Sequence, residues 1–462
     1  MKSKKSIVMV IGVLLVVLLV GAGIPLYITS TNKPKETTQK ATGLGKYSEY
    51  ELFQEVPVMT RKDVSYTEAT DVGGGDYMIT AGNTALSDYQ DYLSVLEKNG
   101  FDKVLDNGEN GLEGFVYTAH YQKDDLLVIV SHIAKLEKTT ITATEKTDLS
   151  EHLFYDEAYV EANKPGAKTS FHLLEMEQVG NSFLFQLKNG HFLMYDGGRP
   201  GELPYLLEYM ESLVPIGEKP IVDAWFISHA HTDHMGVFKT FSENESYAER
   251  VYIESIYFDE PSKEAVEIAG IYDSVNAELI YCKAAQQYLK SSDGSAPEMY
   301  HPRLGERYYF NDFTVDIIYT LELLEPEKWD TWNSTSTVMM FTIEGQKIML
   351  TGDSDWCTQL IYTDMYDKEY FNLDVYQVPH HGINVYKQLT NRLGTIRTAV
   401  YPTRAIGTVN GEGTFIGRKT QNEHLVSVAL ESMSWAEGTK ILTFPYEIGS
   451  AQTLPQKFVT EE

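Results

Sequence analysis

Three apolar runs in this chain end abruptly in histidines and aspartates, residue types able to ligate divalent ions. Val222, Ala224, Trp225, Phe226 and Ile227 read as a buried strand that runs into His229, His231, Asp233 and His234. Ile348, Met349 and Leu350 lead through Thr351 and Gly352 to Asp353. Val375, Tyr376 and Val378 lead through Pro379 to His380 and His381. Imidazole nitrogens and carboxylate oxygens are the ligands that a borderline ion such as zinc takes. Asp353 follows an apolar strand, where a charge is costly unless it is paired or coordinated. Of the 12 histidines, five lie in two of these motifs, which favours a site over a solvated turn. Strands that alternate with helices in this way predict an α/β fold of two packed sheets with helices outside.

The chain has 462 residues, enough for two or three domains. Lys2, Lys4 and Lys5 precede an uncharged run at 7–28. At about 1.5 Å per residue that run can span a hydrocarbon core of about 30 Å. Positive charge ahead of it predicts a cytoplasmic stub, a transmembrane anchor over 1–28 and a body outside the cytoplasm. The alternative is a cleaved signal peptide, with 7–20 as its apolar region and Gly21-Ala22-Gly23 as its small-residue stretch. Both place the rest of the chain outside.

Residues 29–45, rich in Thr and Lys with Pro34 and Gly43, read as a linker. Residues 46–150 read as a small α+β domain, with a helix capped by Ser87 and ended at Asn99-Gly100. Its role is open between a partner-binding module and a lid. His120 and His132 fall inside its strand patterns as packing or surface residues. A larger domain is expected over 165–450. It contains a hairpin at Asn189-Gly190, the turn Asp196-Gly197-Gly198, a helix over 422–432 and a last strand at 440–444.

The net charge of −28 repels polyanions, and no cluster of Lys and Arg beyond the N-terminus offsets it, which opposes nucleic acid as a partner. Two cysteines without a CxxC suggest neither a disulfide scaffold nor a thiolate metal site.

The motif His229-x-His231-x-Asp233-His234, with Asp196-Gly197-Gly198, Thr351-Gly352-Asp353 and Pro379-His380-His381-Gly382, resembles the metallo-β-lactamase superfamily. Asn333-Ser334-Thr335-Ser336 is similar to a segment of the branch that holds the extracellular hydrolase domain of competence proteins and the phosphorylcholine esterases. The resemblance implies an αββα sandwich over roughly 169–444. It also implies two divalent ions, zinc with manganese as the alternative. His229 and His231 would hold one ion, Asp233, His234 and His381 the other, and Asp353 would bridge them. His380 would face the substrate, with the reverse assignment of His380 and His381 left open. Asp196 would orient the histidines.

Many members of the superfamily carry a further histidine shortly before the bridging aspartate. Here Asn333 and Ser334 occupy that region, and His301 lies far ahead of it. That departure argues against a β-lactamase proper.

The implied chemistry is metal-assisted hydrolysis, with Asp233 orienting water or accepting its proton. His380 and Asn333 would either donate hydrogen bonds to a substrate oxygen or shape the loop. The leading reading is a membrane-anchored hydrolase of a small-molecule or cell-surface phosphodiester or related ester. A nuclease acting on extracellular DNA, and a non-enzymatic surface-binding protein with a structural metal site, are the alternatives.

Overall fold

A computed structural model of the chain describes residues 51–458, apart from 61–64, 67–69, 74–75, 146–148, 272–274 and 405–418. The expected anchor at 7–28 and the linker at 29–45 lie outside the described residues. Among the described residues no helix is long and apolar enough to cross a membrane.

The first sheet is antiparallel throughout and spans Ser65–Tyr66 to Lys138–Glu145, in strand order 65–66, 76–82, 138–145, 126–133, 116–123, 102–106, with 70–73 beside 76–82. Its inner strands are rich in Val, Ile, Thr and Tyr, which suit a pleated surface. The helix Leu86–Lys98 buries Tyr89, Tyr92 and Leu96 against Ile79, Val128, Val130 and Ile141 on one face. The expected cap at Ser87 is displaced: Ala85 is the N-cap, and the Asp88 carboxylate accepts its N–H at 2.6 Å. A carboxylate three residues into a helix can satisfy this donor without a hydroxyl at the cap.

The other face of this sheet meets residues 303–306. Thr118 and Ser131 both donate their hydroxyls to the Leu304 carbonyl, at 2.8 and 3.2 Å. Beside them Arg303 is buried and pairs with Asp76 and Glu322, with Asp259 3.6 Å away.

Two further sheets face each other. One runs in the order 298–300, 255–258, 221–227, 192–195, 183–186, 170–173, 440–443, 452–453. The strands Phe192–Tyr195, Ile221–Ile227, Ser255–Phe258 and Glu298–Tyr300 pair in parallel, and the strands beyond 192–195 are antiparallel. The other runs 307–310, 313–319, 338–343, 346–350, 373–377, 396–401, 431–434 and becomes parallel from Gln346–Leu350 onward. Aromatic side chains fill the space between them: Phe185 stacks on Phe341 with ring centroids 4.8 Å apart, and Phe226 stacks on Tyr257 at 4.6 Å. Helices cover the outer faces. Leu203–Ser212 and Val237–Glu243 pack on the first sheet of this pair, Trp356–Met365 and Lys419–Val428 on the second.

The expected helix over 422–432 ends earlier. Lys419–Val428 is helical, whereas Glu431–Ser434 is a strand parallel to Ile396–Tyr401. The open edge of Ile396–Tyr401 offers unpaired backbone groups, and Glu431–Ser434 supplies their partners.

Candidate metal centre

Strands end together at one rim of the sandwich. Ile221–Ile227 delivers 228–234, Gln346–Leu350 delivers 351–355, and Leu373–Gln377 delivers 378–382. Two backbone contacts fasten this rim: Thr337, just ahead of the strand Val338–Ile343, donates its N–H to the Ser228 carbonyl at 2.9 Å, and His380 donates to the Gly352 carbonyl at 3.2 Å. Gly352 is in the left-handed region (φ +54°), and a Cβ there would lie 2.8 Å from the Ser228 Cβ. Glycine alone allows this turn at this distance.

The side chains expected as ligands converge. His229 Nε2 and His231 Nδ1 are 2.9 Å apart, and Asp353 Oδ2 is 4.0 Å from the former. His381 Nε2 is 3.4 Å from Asp233 Oδ2, and Asp353 Oδ1 is 3.1 Å from His234 Nε2. Ligand atoms of His229, His231 and Asp353 form one group within 4.8 Å, and those of Asp233, His234 and His381 form another. Asp353 also lies 3.7 Å from His381, so its carboxylate reaches both groups.

The outward nitrogens of the histidines are anchored. His234 Nδ1 donates to Asp196 Oδ2 at 2.7 Å, and His381 Nδ1 donates to the Pro402 carbonyl at 2.9 Å. Both therefore turn Nε2 into the cluster as a lone-pair donor. His234 Nε2, His381 Nε2 and Asp353 Oδ1 are buried and make no hydrogen bond. Buried polar atoms left in this way call for a partner, and a bound ion is one that all three could share. The donor set, nitrogens and carboxylate oxygens with an anchored second nitrogen, fits divalent metal.

Asp196 is the hub behind the cluster. Its carboxylate accepts the Asn181 side-chain amide at 2.6 Å, the Ser228 N–H at 2.8 Å and the Ser228 hydroxyl at 2.8 Å, besides His234. Asp196, His380 and His381 are all non-glycine residues at positive φ, near 57°, 51° and 54°. Such backbone costs on the order of 1–3 kcal/mol per residue and persists where the surroundings enforce it.

Burial and the neighbouring imidazoles hold His229 well below the usual histidine range. Burial also opposes charge on His234, but Asp353 and Asp196 outweigh it and raise this histidine. Burial would raise Asp353, yet His234, His380 and His381 hold it well below the usual carboxylate range.

His380 stands apart from the two groups. Its Nε2 is 3.5 Å from Asp353 Oδ2, and its ring is partly exposed. With Asn333 Nδ2 as donor, at 3.2 Å, His380 Nδ1 accepts and Nε2 carries the proton. The short helix Trp332–Thr335 thus places Asn333 beside His380.

Farther along the chain, Tyr401 is buried against Gly382, Arg404 stacks over Trp435, and His424 contacts Asn391 on the surface. His301 is in neither ligand group. Sequence reasoning missed Ser228, Asn181 and Arg199. Arg199 Nη2 is 3.5 Å from Asp233 Oδ2, and its Nε donates to the Val179 carbonyl at 2.8 Å. Only its place after Asp196-Gly197-Gly198 could have flagged it. A cavity of about 760 Å³, bordered by Phe154, Tyr155 and Tyr309, includes none of the candidate ligands.

Residues 177–385 match the family model described as "Metallo-beta-lactamase superfamily". Comparison with curated proteins finds no match. Among solved structures, a metallo-β-lactamase with the HARLDQ motif from Cronobacter sakazakii is 14% identical, over 42% of this chain and 66% of its own, with a TM-score of 0.24. A protein of the metallo-beta-lactamase superfamily from Thermotoga maritima is 12% identical over 50% and 74%, with a TM-score of 0.24. Zinc-bound PqqB from Methylobacterium extorquens is 9% identical over 56% and 86%, with a TM-score of 0.34. The mixed α/β segment 177–385, which contains every candidate ligand, is a metallo-beta-lactamase superfamily domain.

Proposed function

We propose that this protein is a binuclear-metal hydrolase of a phosphodiester or related ester, close in chemistry to the competence-protein and phosphorylcholine-esterase branch. It is anchored in the membrane by 7–28, with the catalytic region outside the cell. The observation that carries the reading is the pair of three-ligand groups joined by Asp353.

His229 and His231 would hold one ion, and Asp233, His234 and His381 the other. Zinc or manganese bound there supplies Lewis acidity that activates water and offsets negative charge on a substrate oxygen. Asp196 and Pro402 hold the imidazoles so that their free nitrogens stay aimed inward. Asp233, partly exposed at the mouth, orients water and accepts its proton. His380, with its proton on Nε2 and Asn333 behind it, donates a hydrogen bond to the substrate oxygen. Asn333 occupies the region where many superfamily members carry a further histidine, which would leave one ion more open to substrate. The −28 charge disfavours long polyanions and suits a small or cell-surface ester.

The full chain, purified in detergent and loaded with zinc or manganese, is expected to hydrolyse bis-p-nitrophenyl phosphate. No turnover with either metal would defeat the substrate assignment. The location is checked by fractionation and protease accessibility in intact cells: recovery of the chain in the soluble cytoplasm would defeat the anchor.

A further inference from the structure

Most of the centre is sealed. His229, His234, Asp353 and His381 are all 1% exposed or less, and Asn333 is buried. The groups that reach solvent are His231, Asp233 and His380, which marks the side from which a substrate arrives. Arg199 stands on that side with 36% of its side chain exposed. Its Nε is spent on the Val179 carbonyl, which fixes the plane of the guanidinium. Its Nη2 lies 3.5 Å from Asp233, too far for a charge-assisted hydrogen bond, which runs at about 2.7–2.9 Å. The outer face of the fork therefore keeps donors to offer. Arg404 borders the same loop, with Nη2 3.5 Å from the Met176 carbonyl, but its charge is answered by buried Glu175 at 3.6 Å.

Charge points the same way. Two divalent ions bring more positive charge than Asp233 and Asp353 cancel, and Arg199 adds to the excess. A bound metal centre inverts the local field whatever the sign of the whole protein. A cation beside such a centre is costly until an anion sits between them, and a planar guanidinium matches phosphate oxygens two at a time.

We infer that Arg199 is the specificity-determining residue of this site: it binds a phosphate oxygen of the substrate and selects anionic phosphoesters over neutral esters. This rests on the phosphoester reading above.

The test uses the metal-loaded full chain as wild type, Arg199→Ala and Arg199→Lys. Metal content is measured on each, and inorganic phosphate binding is read by calorimetry. Steady-state kinetics are compared for bis-p-nitrophenyl phosphate and neutral p-nitrophenyl butyrate. Arg199→Ala is expected to keep both ions and to raise the Kd for phosphate about tenfold or more. It should raise KM for the phosphodiester by a similar factor and leave the neutral ester within twofold, while Arg199→Lys recovers part of the loss. Equal losses on both substrates, or loss of an ion, would make Arg199 a mere support for Asp233 and overturn the inference. Unchanged phosphate affinity would overturn it too. If wild type cleaves no phosphodiester, the phosphoester reading fails, and phosphate affinity alone decides whether Arg199 binds anions.

Discussion

His234 and Asp196 are joined by a 2.7 Å hydrogen bond between fully buried groups, and through it the strand end of Phe192–Tyr195 governs a candidate ligand on the loop after Ile221–Ile227. Asp196 fixes which nitrogen of His234 carries the proton, and so which one is free for metal. Asp196→Asn keeps the shape but weakens the acceptor. Zinc affinity, measured by competition with a chromogenic chelator, is expected to fall about 10–100-fold. Unaltered affinity would show that the pair serves packing alone.

His380 and His381 are neighbours in the chain with different surroundings. His381 is buried and anchored on Pro402, whereas His380 is partly exposed and backed by Asn333. His381→Ala should lose an ion. His380→Ala should keep both and lose kcat, by about 10²-fold if its hydrogen bond serves the transition state. Native mass spectrometry with kinetics separates the two, and the reverse pattern would swap their roles.

Gly352 allows the turn that passes close to Ser228 and leads into Asp353. Gly352→Ala forces a side chain into a left-handed backbone and against Ser228. A stability loss of about 2 kcal/mol is expected from thermal unfolding, with weakened metal binding. Stability equal to wild type would show that this close approach does not require glycine.

Glu306 lies where the first sheet meets the sandwich, accepting the Tyr308 hydroxyl and the Arg303 N–H, with His120 Nε2 3.3 Å away. Burial pushes its carboxyl up from 4.5 to about 7, while burial and Arg303 hold His120 down at about 3. The native state therefore holds the Glu306 proton more tightly than the unfolded chain. Its contribution to stability is full below about pH 4.5 and is lost as pH rises through 7, a change of roughly 3 kcal/mol. His120 works the other way, costing stability as pH falls below 6.5. Glu306→Gln isolates the first effect: its Tm relative to wild type should climb by a few degrees between pH 5 and pH 8. A difference constant with pH would contradict the raised carboxyl.

The candidate metal centre was legible because its candidate ligands sit at strand ends, where residue type and alternation can be read from one segment at a time. His229 to His234 announce themselves locally, and so does Asp353 after an apolar run. Arg199 was not legible, since its meaning comes from a loop near Val179 and from Asp233. The Arg303 cluster joins Asp76, Asp259, Glu306 and Glu322 across distant parts of the chain, which no local pattern predicts. The boundaries at Ala85 and Val428 were misread for a related reason. A carboxylate at Asp88 and an open sheet edge at Ile396–Tyr401 decided them, not the hydroxyl or apolar spacing on which the expectation rested.

Asp353 reaches both ligand groups, and a binuclear centre depends on it. Native mass spectrometry of the zinc-loaded chain tests it most directly, on wild type, His229→Ala/His231→Ala and Asp353→Ala, with circular dichroism confirming that each is folded. Two ions are expected in wild type, one in the double variant and none firmly held in Asp353→Ala. A wild-type chain without zinc, or an Asp353→Ala chain that still holds both ions, would contradict it.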